Sequence, residues 1–202
     1  MKVETWKDVV RAMVALGADA PPLEEIAQVF GIEVPEQRDT VTLGALLEVG
    51  EENKDVDLIW EVYHNPHSNN SIKVAALEAL LEVAKENKDV DLMWEVYSKA
   101  PDDSPLKTAA LKAMLEVGKE NRDVELMRKA YRNAYGDSSS VEAPASEAIN
   151  AWGRDMLRAA KENKDVDLMW EVYSKAPDDS PVKAAALRAI INIIPPPNKY
   201  NK

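Results

Sequence analysis

Apolar residues recur along this chain at helical spacing, and no long stretch alternates apolar and polar residues as a half-buried strand would. Over residues 56–63, Val56, Ile59, Val62 and Tyr63 form one stripe, with Leu58 and Trp60 at its edges. An arc this wide suits a helix packed between neighbours on both sides. A second helix follows: Val74, Leu77, Leu80, Leu81 and Ala84 make its expected buried stripe. Ala75, Glu78, Ala79, Glu82 and Lys85 are left for water.

Start signals agree with these periods. Asp55, Asp89, Asp123 and Asp165 each precede a first helix, where a carboxylate can accept the unpaired amides of the opening turn. Ser104-Pro105 and Ser180-Pro181 open second helices, since Ser caps and Pro loses nothing where its missing amide had no partner.

The pair of helices is copied. The segment Glu86–Pro105 recurs without change as Glu162–Pro181, and Asn53, Asn87, Asn121 and Asn163 are spaced by 34, 34 and 42 residues. Shifting back by one period aligns residues 42–54 with a second helix, 21–30 with a first helix and 4–16 with the second helix before it. Divergence is expected in these terminal units, whose outer face meets water. The predicted fold is all-α: a right-handed α-solenoid of stacked helix–loop–helix units of about 34 residues, with eleven helices. It is read as one domain over 1–194, with cap units 1–52, two regular repeats 53–121, a modified repeat 122–161 and a C-terminal repeat 162–194. The Pro-rich tail 195–202 cannot continue a helix and is expected to fray.

Pro177, Asp178, Val182 and Lys183, followed by an Ala- and Leu-rich helix, resemble a HEAT repeat. Pro101, Asp102 and Lys107 repeat the match one regular copy earlier, with Leu106 in place of Val. The resemblance covers most of residues 20–194 and implies a scaffold that holds partners along a curved surface. The period also equals that of tetratricopeptide repeats, but Trp94 is followed by Glu95-Val96-Tyr97 without that family's Gly. HEAT arrays usually drift apart within one chain, so a twenty-residue identity points to a deliberately designed array, with recent natural duplication as the alternative.

In so regular an array, departures carry information. Between Arg122 and Lys161 the template Trp-Glu-Val becomes Arg128-Lys129-Ala130. Eight extra residues, with a Ser-rich stretch, are expected to form a long loop over 132–147. Trp152 stands where other copies have Ala76, Ala110 and Ala186, and Gly153 where they have Leu77, Leu111 and Leu187. Losing a buried Leu costs roughly 2–5 kcal/mol, so this unit is read as rebuilt as a set. Two accounts follow: the helix below repacks to support the loop, or Arg128, Tyr131, Tyr135, Trp152, Arg154 and Arg158 line a recognition surface. Tyr, Trp and Arg are the types that dominate interface energetics, and a basic patch suits a carboxylate or phosphate. Pairing of the arginines with neighbouring glutamates is the plainer expectation.

The other departure, His64 to Ser71, holds both histidines. His64 and His67 lie three residues apart, but a Zn or Ni site needs three or four ligands, and no third His or Cys exists. A polar loop bonding its own backbone is expected instead; no metal and no cofactor are assigned. The template loops, rich in Asp and Ser, are expected either to support one another through Asp102, Asp103 and Ser104 or to be plain solvated connectors.

Composition narrows the function classes. A net charge of −11 disfavours nucleic acid, which is bound chiefly by Lys and Arg, and its plainer role is to maintain solubility. Apolar runs fall short of the roughly 20 residues a membrane span needs. There is no Cys, Gly-rich phosphate loop, metalloprotease helix motif or calcium loop. A monomeric, non-enzymatic binding or scaffolding protein with a peptide or protein partner is expected. A natural adaptor gripping a peptide along its second helices is one alternative. A designed small-molecule, metal or catalytic site is the other.

Overall fold

The computed structural model describes residues 3–17, 20–102, 104–134 and 139–193, with the Ser139 side chain set aside. Asp103, residues 135–138, which include Tyr135 and the first residue of the Ser-rich stretch, and the tail thus lie outside the described residues. Eleven α-helices and no strands occur among those described: α1 (Trp6–Leu16), α2 (Leu23–Phe30), α3 (Arg38–Asn53), α4 (Val56–His64), α5 (Asn70–Asn87), α6 (Val90–Lys99), α7 (Pro105–Asn121), α8 (Val124–Ala134), α9 (Ser139–Asn163), α10 (Val166–Lys175) and α11 (Pro181–Ile193).

The boundaries follow from local chemistry. The four Asp caps accept amides as expected: Asp55 from Leu58 at 3.1 Å, Asp89 from Leu92 at 3.0 Å, Asp123 from Leu126 at 3.0 Å and Asp165 from Leu168 at 2.9 Å. The residue before each cap, Lys54, Lys88, Arg122 or Lys164, sits in the left-handed region with φ of 54–55°. This turn lets the Asp amide reach back to the preceding helix, as Asp89 does to the Ala84 carbonyl at 2.9 Å. One two-residue link thereby ends one helix and starts the next. Ser104 and Ser180 cap as predicted, accepting the amides of Leu106 at 3.2 Å and Lys183 at 3.1 Å.

The chain forms two compact units, Met1–Asp102 and Asp103–Lys202. In the first, α1 packs on α2 and α3, α3 on α4 and α5, and α5 on α4 and α6. Trp6, Val9, Val10, Ile26 and Ala27 form the core at its start, and the Trp6 indole donates to Thr42 Oγ1 at 3.1 Å. The terminal helices nevertheless leave Leu16, Val29 and Phe30 exposed, Val29 to 79%. In the second unit, α9 packs on α7, α8, α10 and α11, and α10 on α8 and α11. Its C-terminal core gathers Leu157, Met169, Val172, Val182, Ala186 and Ile190.

Two expectations need correction. Ala79 is buried rather than solvent-facing, and Val74 is only half-buried, because α5 has neighbours along both flanks. The expected long loop over 132–147 is mostly helix. With 25 residues, α9 is eight longer than α7, and both end at the repeat's Asn, so the insertion lengthens a helix. It does so because Val141 and Ala145 continue the stripe of Ile149, Gly153 and Leu157 at four-residue steps, and both are fully buried. That burial outweighs Pro144, which sits inside the helix without an amide to donate.

Candidate functional site

The divergent segment 122–161 contributes to a cleft of about 620 Å³ in the second unit, between α8, α9 and the α10–α11 loop. Its α8 wall carries Arg128, Tyr131 and Arg132, which project together because they lie three and four residues apart. In the other copies the place of Arg128 is held by Trp60, Trp94 or Trp170, each with its ring 4.9–5.6 Å from the Tyr three residues on. In α8 the aromatic partner of Tyr131 is thus replaced by a guanidinium.

Lys175 of α10 and Lys183 of α11 also line the cleft. Lys175 pairs with Glu171 at 2.8 Å and Glu125 at 3.3 Å. The hydrogen bond to Glu171, reinforced by Glu125 against partial burial, raises its pKa above the usual lysine value. Lys183 pairs with Asp178 at 2.6 Å and lies 5.1 Å from the Tyr173 ring centre. That bond holds the Asp178 carboxyl below the usual range. Arg128 reaches Glu125 only at 3.5 Å, the outer limit of a hydrogen bond, so its donors are the least committed of these three.

The α9 wall contributes Ser146, Ile149 and Asn150. The Oδ1 of Asn150 is buried and has no hydrogen-bond partner among the described residues. Leaving such a group unmet costs about 1–3 kcal/mol. Asn150 occupies the place of Val74, Thr108 and Ala184, so a carboxamide here is particular to this copy. Four cationic side chains line the cleft; Lys175 is paired with Glu171 and Glu125 and Lys183 with Asp178, so Arg128 and Arg132 are its least committed cations.

The residues singled out from sequence are therefore distributed. Arg128 and Tyr131 meet in the cleft. Trp152 lines a separate cavity, while Arg154 and Arg158 are exposed and line neither. Tyr135 lies outside the described residues. His64 and His67 are exposed in the first unit: His64 Nδ1 lies 2.9 Å from the Trp60 carbonyl oxygen, and the His67 amide donates to Asn65 Oδ1 at 2.9 Å. Ser68 is buried and donates to the Val62 carbonyl at 2.5 Å, so this loop does bond its own backbone. No group of three or more His, Cys, Asp or Glu suited to a metal occurs among the described residues, and no helix among them is long and apolar enough to cross a membrane.

Sequence reading missed Arg132, Lys175, Lys183 and Asn150. The last was detectable as a departure from the template, whereas Lys175 and Lys183 belong to regular copies and gain a role only from what faces them. No protein-family model, curated protein or solved structure matches the chain. The likeness to HEAT repeats rests on the residues quoted for it.

Proposed function

We propose that this chain is a HEAT-like helical-repeat scaffold, a binding protein rather than an enzyme, whose rebuilt repeat holds an acidic segment of a peptide or protein partner. The observation that carries this is the cleft lined by Arg128, held to Glu125 only at 3.5 Å, by Arg132, and by Asn150, whose buried Oδ1 has no partner among the described residues. An extended acidic peptide answers both features. Its carboxylates pair with the guanidinium groups, and a backbone N–H supplies the donor that Asn150 lacks. The α10–α11 loop serves as a preformed wall: Ser180 is buried, and its amide donates to the Pro177 carbonyl at 3.1 Å. Unchanged copies of the template keep Trp where Arg128 stands, which supports recognition as the reason for the change.

The test is fluorescence anisotropy with a labelled hexaglutamate peptide and a hexalysine control. Saturable binding of the acidic peptide alone, weakened by salt, is expected. Arg128→Trp restores the template residue and removes a charge-assisted hydrogen bond of about 1.5–3 kcal/mol, so binding should weaken tenfold or more. Absence of saturable binding, or equal binding by the variant, refutes the proposal.

A further inference from the structure

A second cavity, of about 370 Å³, lies on another flank of α9, against the C-terminal end of α7 and the start of α8. It shares no lining residue with the acidic-peptide cleft. We infer that it is a binding site for a small, flat aromatic zwitterion, a molecule of the aromatic amino acid class.

The cavity exists because several template positions change together. Ala148 replaces Ile72, Leu106 and Val182, a loss of bulk that empties the space beside α7. Trp152 replaces an Ala that is fully buried in three other copies, and its half-buried indole lines the cavity. The indole also packs on the C-terminal core, and the Lys175 ammonium lies over the ring 6.0 Å from its centre. The ring is therefore held in place and offers its remaining surface to the cavity. Met127 and Met156 are flexible, polarizable walls that adapt to a flat ring. The volume falls at the lower end of ordinary ligand pockets, about 300–1,000 Å³, which fits a small molecule rather than a chain segment.

The rim sets the charge. Arg122 stands where Lys54, Lys88 and Lys164 occupy the same left-handed turn, and a guanidinium grips a carboxylate through two parallel bonds where an ammonium cannot. Across the rim lie Glu147 and Asp155, in the places of Pro105 and Pro181 and of Ala79, Ala113 and Ala189. Arg122, Glu147 and Asp155 have no ion-pair partner among the described residues. A ligand with a ring, a carboxylate and an ammonium group meets the Trp152 platform, Arg122 and the facing carboxylates at once. A simple anion or cation satisfies only one side.

The experiment is a titration of protein labelled with ¹⁵N at tryptophan, following the five indole N–H resonances, with that of Trp152 assigned by its loss in Trp152→Phe. Unlabelled L-tryptophan is the probe, and tryptamine, indole-3-propionate and alanine remove the carboxylate, the ammonium and the ring in turn. We expect a saturable shift of the Trp152 resonance with L-tryptophan. The two indole analogues should bind about tenfold more weakly, as loss of one charge-assisted contact implies, and alanine should not bind. Ala148→Leu restores a template residue and should abolish the shift while the other indole signals stay in place. Arg122→Lys, at an exposed position already filled by Lys in three copies, should weaken binding without altering the spectrum, and it decides the matter if Ala148→Leu fails to fold. An unmoved Trp152 resonance, analogues that bind as well as L-tryptophan, or unchanged binding by a folded Ala148→Leu or Arg122→Lys variant overturns the assignment.

Discussion

A Cβ atom built on Gly153 would lie 2.7 Å from Cγ1 of Val182, so the glycine in α9 is the space that a valine of α11 occupies. The other copies place Leu77, Leu111 and Leu187 at this position. Gly153→Ala gains about 1 kcal/mol of helix propensity but forces an overpacked contact that costs roughly 1–3 kcal/mol. Net destabilisation is expected in urea denaturation, and Val182→Ala in the same chain should recover much of it. Additive effects of the two substitutions would show that the contact does not constrain the site.

Pro144 occupies the sixth position of α9 and withholds the amide that would bond the Ser140 carbonyl. Replacing an interior helical Pro with Ala is worth up to about 3 kcal/mol. Pro144→Ala should raise the thermal midpoint and slow hydrogen exchange over 140–150. An unchanged exchange pattern there would mean that the opening turns of α9 do not depend on this residue.

Lys164 holds φ of 54° before the Asp165 cap. Left-handed backbone costs an L-residue about 1–2 kcal/mol, and glycine escapes that cost. Lys164→Gly should therefore stabilise the chain by about 0.5–1 kcal/mol after allowing for its freer unfolded state. Asp165→Ala, which deletes the adjoining cap, should cost about 1 kcal/mol. Opposite signs at adjacent positions, read in the same denaturation series, are the signature.

Asp8 accepts from the Thr5 hydroxyl at 2.8 Å and from the Glu4 and Thr5 amides at 3.1 and 3.0 Å. These bonds, with Thr5 foremost, hold its carboxyl below the ordinary aspartate range. A depressed folded pKa stabilises above the unfolded value, and the contribution fades as pH falls through the folded one. Acidification below about pH 4 should loosen α1, seen as faster hydrogen exchange over 6–16, and Asp8→Asn should reduce that pH dependence.

Much was written locally. The Asp and Ser caps and the eleven helices among the described residues rest on signals within a few residues of one another, and the 34-residue period on comparing copies along the chain, so the sequence alone determined them. It also marked the rebuilt repeat, because Arg128, Trp152 and Gly153 break a pattern that identical copies define. Tertiary structure decided what those departures accomplish. The inserted residues look like a loop in isolation, with three serines and a proline, yet Val141 and Ala145 find a buried surface on their neighbours, and burial turns them into helix. Lys175 and Lys183 look like ordinary template lysines until packing brings them into one cleft lining with Arg128 and Arg132. Helix propensity and capping act between residues close in sequence, whereas a cleft depends on which distant side chains face one another across packed helices.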